Sequence, residues 1–167
     1  MANATYTATK YYSDHPIPAS TKPGEVLVWG DSITSGGVLI VDTDTFKFAR
    51  IPKNHTVLKF EIYVPDWDTA GTALAMDIGT TDNGDSLADA IVIGTAGYFT
   101  VPLNGATTGL AATFSDTAPT SDYDLIGDVT ASATTGSTGT AYFRVYYAAL
   151  PTIFDPTSSP AAVAGTQ

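Results

Sequence analysis

From Val57 to Val64 the chain alternates strictly, with Leu58, Phe60, Ile62 and Val64 pointing one way and Val57, Lys59, Glu61 and Tyr63 the other. Side chains on a β-strand change face with a period of two, so this run predicts a strand with one buried and one wetted face. Phe46 and Phe48 alternate in the same way before an Ile51-Pro52-Lys53 turn, and Leu74, Met76 and Ile78 do so after a loop. Upstream, Val26–Trp29 reads as a short strand, Gly30–Gly37 as a loop and Val38–Val41 as an apolar strand buried on both faces. Asp42-Thr43-Asp44 forms a tight turn into a strand over Thr45–Arg50. Downstream come a strand over Ala73–Gly79, a turn cluster over Thr80–Asp85 and a helix or strand over Ser86–Ile93. A strand over Gly97–Leu103 follows, with Phe99, Val101 and Leu103 on one face, and then a long small-residue loop over Asn104–Pro119. Ile126–Ala133 and Thr138–Ala149 read as a hairpin closed by the turn TTGSTG, its second strand alternating Ala141, Phe143, Val145 and Tyr147 against Tyr142, Arg144 and Tyr146. About eight strands at turn-limited spacing predict an all-β fold, a jelly-roll-like antiparallel β-sandwich.

The two ends break this pattern. Residues 1–24 carry Tyr6, Tyr11 and Tyr12 with Pro16, Pro18 and Pro23, and each proline biases its predecessor away from helix. This predicts an extended N-terminal arm lying along a surface, either its own or a neighbour's. Residues 150–167 form a second extended tail, with Ile153 and Phe154 as its anchors. The sandwich body then spans residues 25–149. Trp67, which follows Pro65 in a loop with two aspartates, is the expected exposed aromatic. The candidate partner-binding residues are therefore Tyr6, Tyr11, Tyr12, Trp67, Ile153 and Phe154.

Composition supports the β reading and narrows the function. A chain of 167 residues with 44% hydrophobic content is large enough for one core without staples, and 15 glycines and 10 prolines mark frequent turns. Fifteen aspartates and two glutamates against seven Lys plus Arg give a net charge of −10, which repels phosphate backbones and argues against nucleic-acid binding. No apolar run is long enough for a transmembrane helix, and the N-terminus lacks the layout of a secretion signal. The absence of cysteine excludes disulfides, thiolate metal sites and a cysteine nucleophile.

Three patterns invite a chemical reading. Trp29-Gly30-Asp31-Ser32-Ile33-Thr34-Ser35-Gly36 resembles the first block of the GDSL hydrolases, in which such a serine is the nucleophile. That chemistry needs a general base, and the family draws it from an Asp-x-x-His block near the C-terminus. Here the only histidines are His15 and His55, both expected in loops, so Ser32 reads as part of a Gly-Asp-Ser turn. Asp82, Asn83 and Asp85 offer oxygens but lack the spacing and closing glutamate of a calcium loop. Trp29, Trp67, Tyr142, Tyr146 and Tyr147 invite a sugar platform, though tryptophan and tyrosine also mark protein interfaces. No cofactor and no catalytic residue is expected.

The alternating strand, the Ile51-Pro52-Lys53 turn, the long strand, the Leu74–Gly79 strand with its Asp77-Ile78-Gly79-Thr80 end, and TTDNGDSLADAIVIGTAG resemble the decoration, or cement, proteins of tailed-bacteriophage heads. The resemblance covers some 50 residues, to Gly97. It implies a non-enzymatic virion protein on the outer surface of the capsid. It further implies an oligomer, with a trimer favoured, that binds the major capsid protein and stabilises the shell by bridging its subunits. A head- or tail-fibre module binding host glycans and a small esterase using Ser32 are the alternatives. With the N-terminal arm as the capsid contact, deleting residues 2–20 is expected to leave the body folded but to weaken capsid attachment.

Overall fold

The computed structural model describes residues 3–11, 25–71, 73–80, 83–102 and 121–149. They form nine strands: β1 (Thr5–Thr7), β2 (Val26–Gly36), β3 (Thr45–Ile51), β4 (His55–Val64), β5 (Ala75–Thr80), β6 (Asn83–Val92), β7 (Gly97–Pro102), β8 (Tyr123–Ala131) and β9 (Thr138–Ala149). One sheet runs β1-β3-β8-β5-β6 and the other β2-β9-β4-β7. The antiparallel pairs are nested, β2 with β9, β3 with β8, β4 with β7 and β5 with β6. The chain is thus a long two-stranded ribbon rolled over itself, the jelly roll the strand spacing predicts.

The rolling explains where local turn chemistry misled. From β2 onward, β5 and β6 are the one consecutive pair that shares a sheet. The TTGSTG segment therefore carries the chain from one sheet to the other, and Ile126–Ala133 with Thr138–Ala149 is no hairpin. The Ile51-Pro52-Lys53 turn likewise crosses between sheets, with His55 N–H donating to the Pro52 carbonyl at 3.2 Å. A turn signal reports a reversal of the chain, and in a sandwich the reversal can lead across the core as easily as along a ladder.

Three other expectations change. Gly30–Gly37 is no loop: β2 continues through Gly36, pairing residue by residue with β9. Val38–Val41 is no strand, since Ile40 is buried while Val38 is 64% exposed. Ser86–Ile93 falls almost wholly in β6. The remaining change is subtler. Val57 faces Tyr147 and Lys59 faces Tyr146, so Leu58 is the extra residue of a bulge. The core face of β4 is Val57, Phe60, Ile62 and Val64, with Val57 taking the place expected for Leu58.

The core lies between the sheets. Phe48 meets Phe60 at 5.0 Å and the edge of Phe143 at 5.2 Å, joining strands of both sheets. Burying each such ring is worth about 1.5–3 kcal/mol. A second bulge at Phe48 lets Phe46, Phe48, Ala49 and Ile51 all point inward. Opposite them Gly127 has to be glycine, because an added Cβ would sit 2.8 Å from Met76 Sδ and 2.9 Å from Phe48 Cε2.

Candidate interaction surface

The N-terminal residues are built into the body. β1 runs parallel to β3, with Tyr6 opposite Phe46. Ala8 N–H then donates to the Lys47 carbonyl and Thr9 N–H to the Ser32 carbonyl, each at 2.9 Å. The segment therefore steps from β3 of one sheet to β2 of the other and closes that side of the sandwich. The Tyr6 ring stacks on Phe46 at 4.7 Å, and Tyr11 also packs against the core. The Tyr6 hydroxyl is buried with no hydrogen-bond partner among the described residues, and burial, then the Asp44 carboxylate, push its phenol above the usual range.

This strap occupies the Gly-Asp-Ser motif. Asp31 Oδ2 accepts from Lys10 N–H at 2.6 Å, and Lys10 Nζ donates to the Gly30 carbonyl at 3.3 Å. Ser32 Oγ lies 3.4 Å from Thr9 Oγ1 in mid-strand, directly opposite Tyr142. An activated serine needs a base within reach. His55 begins β4, is buried, and turns its Nδ1 to the Lys53 carbonyl at 2.9 Å. It is neither the loop residue expected nor a partner of Ser32, and His15 lies outside the described residues. Ser32→Ala is expected to change stability by less than about 0.5 kcal/mol and to leave acyl-ester turnover at background. An esterase assay that responds to the substitution would contradict this.

Trp67 is the clearest reversal. It is fully buried, stacks on Phe46 at 5.3 Å and donates its Nε1–H to the Gly139 carbonyl at 3.2 Å. Gly139 suits this contact because a Cβ there would lie 2.4 Å from Pro65 Cγ. Trp67 thus plugs one end of the core and takes no part in an exposed surface. Tyr12, Ile153 and Phe154 lie outside the described residues, as does Asp82.

Next to Trp67, Asp68 fastens the same end. Its Oδ1 accepts from Thr135 N–H at 2.8 Å and its backbone bridges Gly136. Burial pushes this carboxyl up, but the N–H dipoles of Thr134, Thr135 and Ala70 outweigh that and hold it below the usual carboxylate range. Because the fold lowers this pKa, its contribution is complete above the unfolded carboxylate pKa and disappears as pH falls through the folded one. Asp68→Asn is expected to cost about 1 kcal/mol at neutral pH and to flatten the fall in stability below about pH 4. Urea titrations across that range check both effects.

The outer face of β2-β9-β4-β7 is a surface that the candidate residues did not include. Ser32, Tyr142, Tyr63 and Tyr98 are paired in one row across all four strands. The neighbouring row is Gly30, Arg144, Glu61 and Thr100. Glu61 is 7% exposed, bonded to Lys59 Nζ and accepting from the Tyr146 hydroxyl at 3.1 Å. The Lys59 bond, with smaller help from Tyr98 and Tyr146, holds the Glu61 carboxyl below its usual range despite burial. The sequence did carry the signal, since alternation alone sends Tyr63, Tyr142 and Tyr146 away from the core.

No protein-family model matches the sequence, and no curated protein matches it. Solved structures from two phages do share the fold. A chain in the capsid of Ralstonia phage GP4 aligns with a TM-score of 0.66 at 19% identity, over 87% of this chain and 97% of that one. A chain in the capsid asymmetric unit of cyanophage Pam1 aligns with a TM-score of 0.60 at 21% identity, over 84% of this chain and 95% of that one. The class is therefore an all-β sandwich of the kind found in phage capsids.

Proposed function

We propose that this chain is a structural protein of a phage virion, a decoration protein that binds the outer surface of the head. It stabilises the shell by bridging major capsid subunits, and it assembles as a homo-oligomer, with a trimer favoured. The observation that carries this reading is the shared jelly roll, which spans nearly the whole of a chain in each of two phage capsids. The sequence resemblance from Phe46 to Gly97 points the same way. A protein that binds only the assembled shell adds its binding free energy to the assembled state. Tyr12, Ile153 and Phe154 are proposed as arm contacts, whereas Tyr6 and Tyr11 pack on the chain's own core.

Particles purified from the virus that encodes this chain provide the test. The chain is expected in fixed ratio to the major capsid protein, and particles stripped of it should open at a lower temperature. Light scattering of the free protein should give three times the chain mass of 17.3 kDa. Particles without the chain would overturn the proposal.

A further inference from the structure

We infer that the outer face of the β2-β9-β4-β7 sheet docks on an acidic protein surface, with the Arg144 guanidinium taking a partner carboxylate between Tyr142 and Tyr146. The inference rests on the virion reading above and names the part of the chain that meets the shell. Tyr63, Tyr98 and Tyr142 are 46%, 61% and 60% exposed, on three adjacent strands. Val28, two rows away beside Tyr146, is 54% exposed. Tyrosine and arginine are enriched at protein interfaces, where lysine, glutamate and aspartate are depleted.

The charge on this face is opposite to that of the rest of the chain. Its outward positions hold two cations, Lys59 and Arg144, and a single acid, Glu61. The chain as a whole has 17 acidic residues against seven basic ones. Glu61 is already engaged by Lys59 and Tyr146, and Lys59 also lies 5.2 Å from the centre of the Tyr146 ring. Arg144 is exposed and forms no ion pair among the described residues, so its charge is available to a partner. Guanidinium favours a planar, two-bond match to carboxylate.

The dimensions also suit a protein. Four strands about 4.8 Å apart and some ten residues long present about 600 Å², close to the roughly 800 Å² that each partner gives to a standard interface. A second copy docked face to face is a poor occupant, because like faces would bring the Arg144 charges of the two chains together. A sugar is a poor one too. Side chains stand roughly perpendicular to a sheet, and rings about 4.8 Å apart leave no room for a pyranose between them.

The test is co-sedimentation with purified heads of the encoding virus that lack this chain. Arg144→Glu, and separately the triple change Tyr63→Ser, Tyr98→Ser and Tyr142→Ser, should each weaken binding more than about tenfold. Arg144→Lys should retain part of it, and raised salt should weaken the wild type. Urea midpoints confirm that the variants are folded. Undiminished binding by both variants would overturn the docking face while leaving the virion role intact. Failure of the wild type to bind would overturn the virion role, and the docking face with it. Dissociation of a free oligomer by these variants would assign the face to a second copy, and competition by simple sugars would assign it to a glycan. Either result would overturn the inference.

Discussion

Trp67→Ala is expected to destabilise the protein by about 3–5 kcal/mol, the range for emptying a fully buried aromatic site. The indole stacks on Phe46, which itself lies against Tyr6 and Phe48, so its removal opens a cavity at one end of a connected aromatic row. It also takes the donor away from the Gly139 carbonyl. Collapse of the site is restricted, because Pro65 lies across Gly139 and Asp68 ties the loop to Thr135 and Gly136. Trp67→Phe should recover much of the packing but not the hydrogen bond, leaving a deficit of about 1–2 kcal/mol. Denaturant unfolding of the two variants separates these parts. A loss below about 1 kcal/mol for Trp67→Ala would show that the indole is more exposed than its position implies.

Deleting residues 2–11 is expected to destabilise the body as well, contrary to the expectation that it would tolerate loss of residues 2–20. The deletion removes β1, the Ala8 and Thr9 bonds to the two sheets, and the bond from Ala4 N–H to Asp44 Oδ1. It also removes the buried Ala8 and uncovers Phe46. Re-exposing roughly one aromatic face costs about 2 kcal/mol, which lowers Tm by roughly 4–8 °C in a domain of this size. Tyr6→Ala should reproduce a large share of the fall, and Thr9→Ala little of it. An unchanged Tm after the deletion would show that the segment is a detachable arm.

The sequence carried the fold class and most of the core because alternation is a local property. Phe46 and Phe48, Phe60 to Val64, Leu74 to Ile78, and Ala141 to Tyr147 all read correctly, since a two-residue period needs no knowledge of neighbours. What stayed hidden was which strand lies beside which. Nothing within TTGSTG distinguishes a hairpin from a crossing between sheets. Bulges were equally invisible, so Leu58 and Val57 exchanged places. Trp67 was misplaced because polar neighbours suggested exposure, whereas the Gly139 carbonyl and the Phe46 ring decide the matter from elsewhere in the chain. The candidate site suffered in the same way. Tyr6 and Tyr11, chosen for their position in an arm, pack on the core, while the row on the outer face becomes apparent only when β4, β7 and β9 are placed side by side.

The nested ribbon sets an order of events during synthesis. Val26 pairs with Ala148, and β9 sits between β2 and β4 in the middle of its sheet. The last of the described strands is therefore a central one, and this sheet is incomplete until β9 has left the ribosome. Until then β2 and β4 are apolar strands with open ladders, the kind of species most prone to aggregate. Pairings this distant in sequence also fold slowly. Rapid synthesis of many copies is therefore expected to be sensitive to ribosome pausing within β9.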